Sequence, residues 1–374
     1  MRIAQVANFH GPRSGGLRTA LHALGRGYVE AGDDVLLVVP GDHDGVRDTP
    51  HGRVLTLHSP PLPGSGGYRV LTRLGAVEDA LTAFAPDALE VSDRTTLTGL
   101  GTWARARGIP AAFVAHERVD GLLREALPRL PEATVARLAD AHARRIAGRF
   151  DTLVATTAFA GEELARVGAP VETVPLGVDL DRFHPRHASA ATRRAHAPDH
   201  APLLVLASRL SREKRPGLAI DAVRVLAARG RPVRLAVAGD GPAAGRVRRA
   251  AAGLDVELLG FVSDRAAFAA LLASADVAVA PGPIETFGLA ALEALASGTP
   301  VVVNAASALP EVVGDAGLAA AGTPEAFADA IERLLARDAR ERRLAARARA
   351  VAFPWSASVA RMRALHARSL AGVP

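Results

Sequence analysis

Apolar positions gather in short unbroken runs along this chain, at residues 3–7, 34–40, 53–57, 88–92, 111–115 and 152–156. The pattern starts again at 203–207 and continues at 233–238, 256–259, 277–280 and 301–303. Runs this short, without polar alternation, read as strands buried on both faces of a parallel sheet. Longer stretches between them, at 17–31, 119–150, 217–228 and 287–296, read as helices, and Thr157 reads as the N-cap of another. Strands and helices in alternation predict an α/β chain of open sheets, which bind ligands at the carboxyl ends of their strands. A length of 374 residues fits two domains, and the stretch PLGVDLDRFHP from Pro175 to Pro185 reads as their connection.

The stretch 277–304 concentrates the chemistry. Pro281, Gly282 and Pro283 stop a strand, and Gly298 and Pro300 end the helix that follows. That helix is apolar on every side, which predicts burial on every side. Glu293 nevertheless stands in its middle, and an unpaired buried carboxylate is costly, so it needs polar partners. Glu285 lies in the preceding loop, and the N–H groups around Thr286, Phe287, Gly288 and Leu289 make an anion site. Taken alone, Glu285 also suits the helix dipole, and Glu293 a paired structural acid.

Other strand ends carry candidates of the same kind. Ser208 and Arg209 follow the 203–207 strand, and Lys214 stands before the next helix. Two cations at a helix entrance suit a diphosphate, the alternative being a solvated basic loop. Gly15 and Gly16 close the first loop, where backbone can approach a phosphate or sugar, or simply turn tightly. His116 and Glu117 end one strand, and Asp93 and Arg94 another. Gly239 and the turn containing Val262 and Asp264 end two more. Asp264 suits either the paired N–H donors of guanine or the cap of a helix at Ala266.

The E-x7-E spacing of Glu285 and Glu293, between a strand and Gly-Thr-Pro-Val-Val, resembles the donor-site motif of retaining glycosyltransferases of family 4. The R-x4-K spacing of Arg209 and Lys214 resembles that family's diphosphate-binding pair. The resemblance covers essentially the whole chain and is strongest from 203 to 313. It implies the GT-B architecture, two Rossmann-like doubly wound domains facing across a cleft. The expected domains are 1–176 on the acceptor side, 177–352 for the nucleotide-sugar, and a helix in 353–374 returning to the first.

The implied roles follow residue by residue. Arg209 and Lys214 stabilise the departing diphosphate, Glu285 contacts the donor sugar, and His116 lies beside its reacting carbon. Glu293 accepts from the ribose hydroxyls. Gly15, Gly16, Ser208, Gly239, Val262, Asp264 and the backbone of residues 286–289 contact the donor. No catalytic metal and no cofactor is implied, so Asp179 and Asp181, spaced D-x-D, are read as part of the connection. One departure stands out: Ser307-Ala308-Leu309 replaces the two glycines many members carry before the Pro-Glu. GDP-mannose is the first choice of donor, through Asp264, with UDP-sugars as alternatives. The acceptor stays open between a lipid-linked sugar, a phosphoinositide and a secondary metabolite. A nucleotide-sugar epimerase and a non-catalytic nucleotide-sugar-binding subunit are the rival readings.

Composition narrows the setting. There is no cysteine, hence no disulfide and no thiolate metal site. The formal charge is +6, but the arginines are scattered and aromatic residues make up 4%, which argues against nucleic acid as a partner. No apolar run approaches the ~20 residues of a membrane span, and no leader precedes the first strand. The expectation is a cytoplasmic protein. The arginine-rich stretch 119–150 admits peripheral contact with an anionic membrane at its inner face as an alternative. Lys214 is the single lysine, so where a compact point charge was kept is itself informative.

Overall fold

A computed structural model describes residues 1–11, 15–62 and 67–372. The chain divides into two compact units, Met1–Gly177 with Trp355–Pro374, and Val178–Pro354. The first crossing falls within PLGVDLDRFHP, and the second lies beside Phe353 and Pro354. Val178 donates its N–H to the Phe353 carbonyl at 2.9 Å.

The first unit runs β1 (Arg2–Ala7), α1 (Gly16–Glu30), β2 (Asp34–Gly41), β3 (Gly45–Thr49), β4 (Gly52–His58), α2 (Leu74–Phe84) and β5 (Ala88–Ser92). It continues with α3 (Gly99–Arg105), β6 (Ala111–Ala115), α4 (Val119–Ala126), α5 (Glu132–Ala147), β7 (Thr152–Ala155), α6 (Ala158–Arg166) and β8 (Glu172–Thr173). The sheet order is β3-β4-β2-β1-β5-β6-β7-β8, parallel throughout except for β3 against β4. Strands β5 and β6 are buried at every position, as their unbroken apolar runs require. Thr157 caps α6, its Oγ1 accepting from the Ala160 N–H at 3.0 Å.

The second unit runs α7 (Ala190–His196), β9 (Leu203–Ala207), α8 (Pro216–Ala228), β10 (Arg234–Ala238), α9 (Ala244–Ala250), β11 (Val256–Gly260) and α10 (Arg265–Ser274). Then come β12 (Val277–Ala280), α11 (Leu289–Ala296), β13 (Val301–Asn304), α12 (Leu309–Val313), β14 (Leu318–Ala320), α13 (Pro324–Leu335) and α14 (Ala339–Val351). Its all-parallel sheet has the order β11-β10-β9-β12-β13-β14. The last helix, α15 (Trp355–Leu370), packs into the first unit. Each unit has its own apolar core, in which burying a side chain such as Leu81 or Ile220 is worth about 1.5–3 kcal/mol.

Three expectations change. The stretch 119–150 is two helices, because Pro128 and Pro131 interrupt it and α5 starts only at Glu132. Hairpin strand β3 was not legible, since it has no apolar run: Val46 is its single apolar side chain, and Val46, Arg47 and Asp48 are all exposed. The helix expected from Phe287 begins at Leu289, with Gly288 outside it at a φ of +79°. A Cβ on Gly288 would stand 2.2 Å from the Leu309 Cδ2, so only glycine fits there.

Both sheets reverse their direction of winding at one point, between β1 and β5 and between β9 and β12. Such switch points open crevices beyond the carboxyl ends of the strands. In the second unit the crevice is bordered by Ser208–Lys214 after β9 and Pro281–Glu285 after β12.

Candidate active site

Beyond β9 the chain makes a single 3₁₀ turn, Arg212–Lys214, before Pro216 opens α8. Arg215 joins the two in the left-handed region, at φ 45° and ψ 50°, a strained conformation for a residue with a side chain. This reversal brings Lys214 back to β12. Its Nζ donates to the Glu285 Oε1 at 2.6 Å, and both side chains are half-buried. Gly282 makes the approach possible: a Cβ there would lie 3.2 Å from the Glu213 carbonyl and 3.4 Å from the Lys214 Cα. Arg209 and Glu213, four residues apart in this loop, form a second pair at 2.6 Å. Burial pushes the Glu213 carboxyl up, but hydrogen bonds from Ser211 and Arg209 outweigh it and hold the group below its ordinary range.

Ser208 and Gly239 lie side by side at the ends of β9 and β10. A Cβ on Gly239 would overlap the Ser208 carbonyl, so this glycine serves the close approach of two loops. Val262 is half-buried in the turn after β11, with the Phe261 ring exposed beside it. Asp264 is the N-cap of α10, its Oδ1 accepting from the Ala266 N–H at 2.8 Å and the Ala267 N–H at 3.3 Å. The capping alternative is therefore realised, and a base contact would share this carboxylate. Thr286 is half-buried. Phe287 packs edge-on against Phe353 at 6.2 Å, and Leu289 is buried, so neither side chain is offered to a ligand. What this segment offers is backbone at the start of α11, where Gly288 provides no side-chain cap.

Glu293 sits buried in α11 among Ala and Leu. Arg265, the first residue of α10, donates to its Oε1 at 2.7 Å. Burial pushes the Glu293 carboxyl above its ordinary range, and the Arg265 charge and hydrogen bond oppose this without cancelling it. Arg265 and Glu213 were missed in the sequence. The Arg209–Glu213 pair is made by the loop after β9, which no helical spacing announces, and Arg265 is brought to Glu293 only by tertiary packing.

The first unit holds the remaining expected residues. The His116 Nε2 lies 3.1 Å from the Ser92 Oγ at the adjoining ends of β5 and β6. Burial, aided by Arg94, lowers its pKa to about 4, so the ring is neutral at physiological pH. Asp93 accepts from the Thr95 and Leu97 N–H groups, and Arg94 pairs with buried Glu163 at 3.2 Å, which fits both to shaping their loop. Gly15 is the N-cap of α1 and Gly16 its first residue, while residues 12–14 of that loop lie outside the described residues. The loop 59–67 is likewise described only in part. Asp179 accepts from the Arg182 N–H at 2.9 Å, and Asp181 is exposed. Among the described residues, no cluster of His, Asp or Glu has the makings of a metal site.

A crevice at a switch point, lined by two cations and closed by a helix N-terminus, can hold a diphosphate, and a carboxylate beside it can meet a sugar. Two family models match the chain: glycosyl transferases group 1 over residues 201–337 and glycosyl transferase 4-like domain over residues 15–177. The chain is 48% identical over 365 residues to a GDP-mannose-dependent alpha-(1-6)-phosphatidylinositol dimannoside mannosyltransferase of Mycobacterium tuberculosis, covering 97% of this chain and 95% of that one. It is 30% identical to a GDP-mannose-dependent alpha-mannosyltransferase of Mycolicibacterium smegmatis, covering 81% and 79%. Its fold matches that of a sucrose-phosphate synthase from Thermosynechococcus elongatus with a TM-score of 0.80 over the whole of both chains, at 23% identity. The fold and these likenesses together define a GT-B glycosyltransferase, an enzyme that transfers a hexosyl group. The chain belongs to the group 1, family 4 type of that class.

Proposed function

We propose that this enzyme transfers mannose from GDP-mannose, with retention of configuration, to an inositol-phosphate glycolipid. The observation that carries the reading is the Lys214–Glu285 pair at 2.6 Å beside Arg209, a cation and a carboxylate set where a diphosphate would join a sugar. Lys214, Arg209 and the backbone at the start of α11 stabilise the negative charge that develops on the departing diphosphate. Glu285 holds the sugar hydroxyls, and Glu293 accepts from the ribose. His116, neutral and half-buried, offers a hydrogen bond rather than a charge to the sugar. No metal or cofactor enters the scheme.

The relatives named for GDP-mannose and phosphatidylinositol dimannoside support this donor and acceptor. A lipid acceptor also suits α4 and the turn after it, where Leu122 and Leu127 are exposed together with Arg124 and Arg129, an apolar and basic surface for an anionic bilayer. No helix among the described residues is long and apolar enough to cross a membrane. Neither the epimerase nor the binding-subunit reading has an observation in its favour.

The test is incubation with radiolabelled GDP-mannose and mixed phosphatidylinositol mannosides in phosphatidylglycerol vesicles. A mannosylated lipid whose new linkage yields to α-mannosidase is expected. A β-linked product would overturn retention. Transfer from a UDP-sugar alone would overturn the donor. Release of an epimerised sugar without acceptor would restore the first rival.

A further inference from the structure

Glu293 has an unusual position for an ionisable group. Its helix is otherwise apolar, its burial favours the neutral acid, and among the described residues a single side chain, Arg265, bonds its carboxylate. That bond takes Oε1. Arg265 comes from another element and is itself held from several sides. Asp264 fixes the first turn of α10 on which it stands, and its guanidinium lies over the rings of Phe183 at 5.1 Å and Phe268 at 5.2 Å. Those two rings meet edge to face at 6.1 Å, so the guanidinium has aromatic contacts with two nearly perpendicular rings.

We propose that Arg265 is the positioning residue of the ribose site, fixing the Glu293 carboxylate so that Oε2 faces the ribose hydroxyls of a bound nucleotide. This rests on the reading of Glu293 as the ribose acceptor. The two ring contacts suit an arginine: its delocalised, weakly hydrated guanidinium keeps aromatic contacts while donating to a carboxylate, which a compact ammonium does less well.

The other charged groups around α11 do not substitute for it. The connection between the units supplies Arg182, which favours the anion from farther off, and Asp179, which opposes it. On α14, Arg347 is committed to the carbonyls of Ala296, Phe183 and Leu180, and Arg343 to those of Ala273 and Ala275. On α12, Glu311 is exposed. Without Arg265, burial has no close opponent, and the Glu293 carboxyl keeps its proton to higher pH. The ribose then meets a more often protonated acceptor toward the acid end of the range and regains the anion as pH rises.

The experiment is calorimetric titration with GDP and 2′-deoxy-GDP between pH 6 and 9, using the parent protein, Arg265→Ala, Arg265→Lys and Glu293→Gln. The parent should prefer GDP by about tenfold at every pH, the scale of one charge-assisted hydrogen bond. Arg265→Ala should bring the two ligands near parity at pH 6 and recover the preference toward pH 9. Arg265→Lys should fall between, and supplies the test if the alanine variant does not fold. Glu293→Gln should show parity throughout. If the Arg265 variants weaken both ligands equally with an unchanged ratio and a flat profile, Arg265 is only structural and the inference falls. If Glu293→Gln keeps the full preference, the ribose reading itself fails, whatever Arg265 does.

Discussion

Each unit of this enzyme buries a carboxylate at the centre of a largely apolar element, Glu90 in one and Glu293 in the other, and the two are treated differently. Glu90, in the middle of β5, accepts hydrogen bonds from the Tyr28 hydroxyl at 2.6 Å, the His366 ring at 2.7 Å and the Gln5 amide at 2.8 Å. Burial pushes its carboxyl up, but these donors outweigh burial and hold it below its ordinary range. Glu293, in the middle of α11, has one such donor and stays above its ordinary range. A buried anion with three donors is finished, and its role is to bind β1, α1 and α15 to β5. A buried acid with one donor is unfinished, and on the proposed reading its missing partners are those a nucleotide would bring. Degree of satisfaction, rather than burial, is what distinguishes Glu90 from Glu293.

The largest effect expected from this contrast is on stability. Glu90→Ala leaves Tyr28 and His366 buried without their acceptor and should cost about 3–5 kcal/mol, read as a lower urea midpoint. A loss under about 1 kcal/mol would mean that the network does not clamp α15, and the comparison would break at its structural half. Lys214→Ala should leave the melting curve nearly unchanged but lower kcat by about 10²–10³, the scale of removing one preorganised donor to developing charge. Undiminished turnover would remove Lys214 from the mechanism. Glu293→Gln should weaken GDP binding about tenfold while leaving stability equal or raised, because it removes a half-satisfied buried acid. Equal losses of stability from Glu90→Gln and Glu293→Gln would erase the distinction.

The smallest effect is in the pH dependence, and its two signs differ. The native Glu90 carboxyl lies below its ordinary value of 4.5, so an unfolded chain takes up its proton first as the medium is acidified. Its contribution is therefore complete above 4.5 and fades as pH falls from there toward the native value. Glu293 lies above 4.5, so it holds its proton longer when folded, and a penalty builds as pH rises from 4.5 to the native value. Each unit of difference is worth about 1.4 kcal/mol. Glu90→Gln should flatten the acid limb of the stability profile, and Glu293→Gln should raise the curve only above 4.5, both measured by chemical denaturation across pH 3–7.

Much of the donor side could be read from local spacing. The 277–280 run, the Pro-Gly-Pro break, Glu285 and the apolar helix around Glu293 stand in the structure close to where the pattern put them. Apolar runs betray strands buried on both faces, which is why β5, β6 and β9 were legible and the polar hairpin strand β3 was not. Two prolines marked the break in 119–150, but the helical periodicity on either side concealed it. Partners from distant sequence were beyond reach. Nothing near Glu90 announces His366, 276 positions away, and nothing near Glu293 announces Arg265. Asp264 had two local readings, and only the described N–H groups at Ala266 and Ala267 show the cap.

The lone lysine has a practical side. Apart from the amino terminus, which is tied to Asp33 at 2.8 Å, Lys214 carries the only primary amine on the protein. An amine-directed reagent therefore has a single side-chain address, and that address touches Glu285. Forty-four arginines still let trypsin cut the chain into short peptides, so one mass increment on one peptide reports whether the site was open when the reagent arrived. On the proposed reading of Lys214, the composition leaves the enzyme carrying its own covalent gauge of donor occupancy, legible without any engineered label.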